Sequence, residues 1–164
     1  NQYIYMHIKI SISKQQLLLF DGENIVRKYS VSTAKNGTGE RKNSECTPLG
    51  EHIIAEKIGH DAKQNSVFVG RVETNELYDL KMRDLYPDRD WILTRILWLS
   101  GTEEGKNKGD DVDSYNRYIY IHGSPEDTKM GKPGSRGCIR MCNSDVIELF
   151  KLVSVGTIVT ITKK

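Results

Sequence analysis

His122 and Cys138 are the residues of this chain best suited to chemistry. Ile121-His122-Gly123-Ser124 is followed, after a small polar stretch, by Ser135-Arg136-Gly137-Cys138-Ile139-Arg140. A cysteine attacks as its thiolate, so it needs a base or positive surroundings to bring its pKa down from about 8.5. An imidazole that titrates near neutrality can take the thiol proton. The two residues stand sixteen positions apart, a gap that neither helical nor strand spacing closes. A strand ending near His122 and a loop folding back through Pro125, Gly131, Pro133 and Gly134 would close it.

The neighbours fit the same chemistry. Gly123 permits close backbone approach, and its carbonyl is expected to orient the imidazole. Gly137, just before Cys138, is expected to free a backbone N–H for a substrate oxygen. Arg140 and Arg136 add positive charge that favours a thiolate and a substrate carboxylate, while Ser124 and Ser135 add hydroxyls beside them. Alone, His122 would pass for a strand-end histidine and Arg136 for a solvated surface arginine. A metal site made of Cys138, Cys142 and His122 lacks a fourth ligand, because His7, His52 and His60 lie in unrelated contexts. No metal and no cofactor are expected.

Positioning these groups requires a mostly β chain. Ile8, Ile10 and Ile12 alternate with Lys9 and Ser11, the period of a strand with one wet face. Leu17–Phe20, Asp21-Gly22 and Ile25–Val31 read as a hairpin, with Glu23 and Asn24 lengthening its loop beyond two residues. Further strands are expected over 66–72, 91–99, 118–121 and 157–162. Long polar loops span 34–50 and 101–115, and both are candidates to cover the site. One helix follows Asn143, expected as its cap, with Val146, Leu149, Phe150 and Val153 on one face and Gly156 ending it. A weaker helix is expected between Asn75 and Leu85, stopped by Pro87.

At 164 residues, 37% hydrophobic and 28% charged, the chain suits one globular domain, taken here as 1–164. A net charge of +2 with scattered basic residues gives no nucleic-acid signature. No apolar run approaches the roughly 20 residues of a membrane helix, so no membrane segment is expected. The first residue, Asn1, suggests a processed or trimmed piece, and localisation is not read from that end. Three cysteines make no disulfide framework; Cys138 must be reduced to act, and Cys46 and Cys142 are expected to be buried free thiols or a pair.

The motif from His122 to Asn143 resembles the L,D-transpeptidase catalytic domain of the YkuD type, whose signature is His-Gly-Ser/Thr followed by Ser-x-Gly-Cys, an apolar residue and arginine. The likeness extends to Thr47-Pro48-Leu49-Gly50, to 116–121 and to the closing 156–161. Many members carry histidine where Arg136 stands, which leaves the acid/base role to His122. The resemblance implies a β-sandwich-like fold of mixed sheets with one or two short helices. It implies that Cys138 attacks the bond before the terminal D-alanine of a peptidoglycan tetrapeptide stem, with His122 as base and then acid. The Gly123 carbonyl would hold the imidazole, and the Gly137 and Cys138 N–H groups would form the oxyanion hole. An amine acceptor would then take the acyl group, giving a 3→3 cross-link, D-amino-acid exchange or protein attachment. Peptidoglycan stem peptides and carbapenem-type β-lactams are the implied partners, and the bacterial cell envelope, periplasmic or extracytoplasmic, is the implied location. Alternatives are L,D-carboxypeptidase trimming, a sortase-like enzyme acting on protein, and a catalytically silent cell-wall binding module.

Overall fold

The computed structural model describes residues 5–164. Alternation produces β1 (Met6–Ser11), with Ile8 and Ile10 fully buried. β2 (Gln16–Asp21) and β3 (Asn24–Ser30) form the expected hairpin, but its turn is tighter than expected. Asp21 pairs with Asn24, so only Gly22 and Glu23 lie between them, and Gly22 supplies the positive φ of 60°. The strand expected over 66–72 is itself a hairpin, β5 (Ser66–Val69) and β6 (Val72–Leu77). It folds at Gly70 and Arg71, both with positive φ. Between the two hairpins comes β4 (Gly50–Ile58), which sequence reasoning missed because a bulge between Ile54 and Glu56 interrupts its alternation.

β7 (Ile92–Gly101) is the hub of the sheet. It pairs antiparallel with β4, with β5 and with β8 (Tyr120–Ser124). β8 pairs in parallel with β9 (Ile139–Cys142), and β10 (Ile158–Thr162) lies between β1 and β4. The result is one mixed sheet in the order β3-β2-β1-β10-β4-β7-β5-β6, with β8 and β9 branching from β7. A bridge between Ser32 and Arg140, with both backbone hydrogen bonds at 3.0 and 2.9 Å, ties the chain just beyond β3 to β9 and curls the sheet. This mainly β, mixed-sheet architecture with two short helices matches the expected fold class.

β7 is buried on both faces, and its side chains divide two cores. Leu97 and Leu99 join the large core with Ile8, Leu19, Ile121, Ile139 and Met141, whereas Ile96 and Trp98 join Phe68 and Tyr120 on the other face. The helix after β9, α2 (Asn143–Leu152), buries Val146, Leu149 and Phe150 against the large core. Its cap differs from the expectation: Cys142 occupies the N-cap position without a side-chain bond, and Asn143 lies inside the first turn with its amide directed elsewhere. The other helix, α1 (Leu80–Leu85), is shorter than expected. Asn75 belongs to β6, and the Asp79 carboxylate caps α1 by accepting from the Met82 N–H at 2.9 Å. Among the described residues no helix is long and apolar enough to cross a membrane.

Candidate active site

The parallel pairing of β8 with β9 brings the two halves of the motif together. Ile121 faces Ile139 and His122 faces Arg140 in register. Since Ile121, Ile139 and Met141 point into the large core, strand alternation places Tyr120, His122 and Arg140 on the opposite face. Cys138, one residue before β9, packs on that face against the Phe68, Ile96, Trp98 and Tyr120 cluster. β9 itself is only four residues long and had no strand signature beside Gly137.

The Cys138 sulfur is held by backbone. The Tyr120 N–H donates to Sγ at 3.3 Å, and the thiol donates to the Tyr118 carbonyl at 3.3 Å. Tyr118 takes a positive φ of 58°, uncommon for a non-glycine residue, at the point where its carbonyl accepts from the thiol. Withdrawal from water pushes the thiol up to about 12, partly opposed by the Tyr120 N–H and by Arg140 and Arg117. The half-buried thiol opens on a cleft of about 290 Å³ lined by Arg71, Asp90, Tyr118, Tyr120 and Arg136 among others.

His122 is fully buried. Its Nδ1 donates to the Gly123 carbonyl at 2.7 Å, which assigns the proton to Nδ1 and the lone pair to Nε2. Nε2 is buried and has no partner. Burial holds this imidazole below the usual histidine value, against Asp90 and the Gly123 carbonyl, which favour its charged form. Burial therefore favours the neutral form of both thiol and imidazole. Asp90 and Arg140 act on both groups, which places them in one electrostatic environment.

Gly123 is glycine because of what lies behind it. A Cβ there would collide with Asn143 Oδ1 and the Leu93 carbonyl. Thr94, in a bulge of β7 with φ 75°, donates to Asn143 Oδ1 at 2.7 Å and accepts from the Asn65 N–H at 3.0 Å. Asn143 Nδ2 closes the network on Asn65 Oδ1 at 2.9 Å. A β-branched residue at positive φ is strained, and these bonds hold it. None of Asn65, Thr94 or Asp90 had a sequence signature, since each is remote along the chain from the motif.

Other expected site residues take different stations. Ser135 Oγ donates to the Cys138 carbonyl at 2.5 Å and accepts from the Gly137 N–H at 3.2 Å. The Gly137 N–H is thus bound to a side chain, contrary to the expectation that it is free for substrate. The Gly137 carbonyl accepts from Thr47 at 2.9 Å, and its φ of 128° is open to glycine. Arg140 donates to Asp90 at 3.2 Å and to the Gly134 carbonyl at 3.1 Å, between this cleft and a neighbouring one of about 330 Å³. Arg136 is exposed at the rim and donates to the Asp88 carbonyl at 3.0 Å. Ser124 is buried at the end of β8, paired in register with Cys142 and outside the cleft lining. Cys46 and Cys142 are free thiols, and Cys142 is exposed, because the last residue of β9 turns its side chain outward before α2.

The two long loops also part company. Loop 34–50 borders the cleft: Lys42, Asn43 and Glu45 line an adjoining hollow with Arg117, Tyr118 and Arg136. Loop 101–115 contributes no residue to the cleft and folds onto β4 through Asn107.

A mainly β domain that brings a free thiol and a buried imidazole to one side of paired parallel strands presents a candidate active site. The family model of the YkuD L,D-transpeptidase catalytic domain matches residues 5–161, and the chain belongs to this family. It is 55% identical over 155 residues to the Bacillus licheniformis protein that bears the name L,D-transpeptidase YkuD, covering 94% of this chain and 64% of that one. Solved L,D-transpeptidase structures share its fold, among them the following two. An Enterococcus faecium L,D-transpeptidase, crystallised as a cysteine-to-serine mutant, superposes with TM-score 0.59 at 16% identity over 98% of this chain and 50% of that one. Mycobacterium tuberculosis L,D-transpeptidase 3, in complex with a faropenem-derived adduct, does so with TM-score 0.57 at 15% identity over 96% and 60%. The chain spans less than two thirds of the length of these relatives.

Proposed function

We propose that this chain is a peptidoglycan L,D-transpeptidase acting in the bacterial envelope, with 1–164 as one catalytic domain. The observation that carries the reading is the orphaned His122 Nε2, on the side of β8 towards which Cys138, one residue before β9, also packs. A buried polar atom with no partner costs stability, and a transient proton from the thiol gives it a use.

In this reading the Cys138 S–H proton passes to His122 Nε2 as Sγ bonds to the carbonyl carbon of the third stem residue. Collapse of the tetrahedral intermediate breaks the C–N bond, and His122 returns the proton to the departing D-alanine amine. The thioester is then attacked by an acceptor amine, whose proton His122 takes before restoring the thiol. Burial favours the neutral form of both groups, which favours proton transfer that accompanies attack over transfer that precedes it. The Cys138 N–H serves the oxyanion, while Gly137 and Ser135 shape its turn. Arg140 acts by fixing Asp90 next to the His122–Cys138 pair.

The solved relatives support this use of cysteine, one having been studied as a cysteine-to-serine mutant and another carrying a faropenem-derived adduct. Carbapenem-type β-lactams are accordingly expected to acylate Cys138. Incubation of the reduced protein with a disaccharide-tetrapeptide and a free D-amino acid, followed by product mass analysis, tests the function. Dimer or exchanged product with loss of D-alanine supports it, tripeptide alone assigns trimming, and no product removes the reading in favour of a binding module.

A further inference from the structure

The cations around the Cys138 cleft differ in what already engages them. Arg117 donates to the carbonyls of Gly39, Glu40 and Cys46 and to the Ser44 hydroxyl, pinning loop 34–50. Arg140 is committed to Asp90 and Gly134, and Arg136 reaches away to the Asp88 carbonyl. Arg71 is held by neutral groups. It donates to the Tyr120 hydroxyl at 3.1 Å, and its guanidinium lies 4.5 Å from the Tyr118 ring centre and 5.1 Å from that of Trp98.

A hydroxyl and two π faces orient a guanidinium without neutralising it, so its remaining donors stay available. The two-residue hairpin turn that carries it, Gly70 and Arg71 both at positive φ, lines the cleft. Tyr120 joins this cation to the nucleophile, its hydroxyl on Arg71 and its backbone N–H on Cys138 Sγ. The open cation thus stands one tyrosine's length from the sulfur.

We propose that Arg71 is the specificity-determining residue of the cleft, receiving the terminal carboxylate of the leaving residue while Cys138 attacks the carbonyl before it. The proposal rests on the transpeptidase reading for the identity of the substrate, but not for the existence of a carboxylate site. It moves the substrate-carboxylate role from Arg140 and Arg136 to a residue outside the sequence motif.

Two measurements test it. In the first, peptide-resolved mass spectrometry follows alkylation of Cys138 by anionic iodoacetate and neutral iodoacetamide at mildly alkaline pH. Arg71→Gln is expected to lower the iodoacetate-to-iodoacetamide rate ratio about tenfold, the size of one lost charge-assisted pair. The iodoacetamide rate should hold, which also reports an intact site. Arg71→Lys should keep part of the ratio and Arg136→Gln nearly all of it. An unchanged ratio in Arg71→Gln overturns the proposal. In the second, kcat/KM is compared for the tetrapeptide stem and its C-terminal amide. The parent should prefer the free acid by about tenfold and Arg71→Gln should lose that preference. A preference that survives in Arg71→Gln overturns the assignment to the leaving carboxylate. Absence of turnover in the parent would count against the transpeptidase reading, and the alkylation ratio would still decide Arg71.

Discussion

Two histidines of this protein are fully buried, and they differ in one hydrogen bond. His52 on β4 and His122 on β8 each place Nδ1 on a backbone carbonyl, that of Gly50 at 3.1 Å and that of Gly123 at 2.7 Å. Burial depresses the pKa of both. His52 completes its bonding through Nε2 to the Ser114 hydroxyl at 2.8 Å, while Nε2 of His122 meets no partner. Around His52 the loop is likewise saturated: the Asn107 amide donates to the Leu49 and Glu51 carbonyls, and its oxygen accepts from the Glu103 N–H. A satisfied buried histidine stabilises a loop. An unsatisfied one, on the strand face towards which Cys138 also packs, leaves a basic nitrogen open to a proton at a cost to stability.

The sharpest break between the two regions should come from the nucleophile. Cys138→Ala is expected to reduce turnover by on the order of 10⁴-fold or more while leaving the unfolding midpoint nearly unchanged, checked by product analysis and urea titration. The histidines should then separate cleanly. His122→Ala should lower kcat/KM by about 10²- to 10⁴-fold. His52→Ala should instead cost about 3 kcal/mol of stability, from lost packing and an orphaned Ser114 hydroxyl, with turnover of the folded protein retained. Equal catalytic losses at the two positions would dissolve the distinction.

Acid provides a third test. His52 sits at about 4 in the folded chain against 6.5 for the free side chain, so the unfolded state binds the proton first. The stability this confers is present above the unfolded value and is lost as pH falls from 6.5 towards 4, by up to about 3 kcal/mol. Urea unfolding across that window should show the slope, and His52→Ala should reduce it, the remainder coming from His122. His122 is depressed in the same direction, so turnover should fall on the acid side of 6.5 as its imidazole is protonated. The smallest effect is expected at Asn143→Ala. Loss of its bonds to Thr94 and Asn65 should relax the bulge behind Gly123 and reduce turnover by about tenfold, from misplacement rather than lost chemistry.

The motif and the strand-rich frame were legible in the sequence because their signals are local. His122-Gly123 and Gly137-Cys138 are contiguous, Ile8 and Ile10 alternate, and Val146, Leu149 and Phe150 share a helical face. What escaped depends on pairing between distant segments. β9 is too short to carry a period, and β4 hides its own behind a bulge. The hydrogen bond from Gly137 to Ser135 is a turn geometry, and Asn143 looked like a cap until Thr94 was placed beside it. Arg71 and Asp90 reach the cleft only through the β5–β6 turn and the segment before β7, so no spacing rule links them to Cys138.

The most direct test of the account is rapid-quench mass spectrometry of the reduced protein mixed with a disaccharide-tetrapeptide, comparing the parent with His122→Gln. The account predicts a thioester on Cys138 alone, formed about 10²- to 10⁴-fold more slowly in the variant. An acyl group on Cys46 or Cys142, or equal rates in the two proteins, would contradict it.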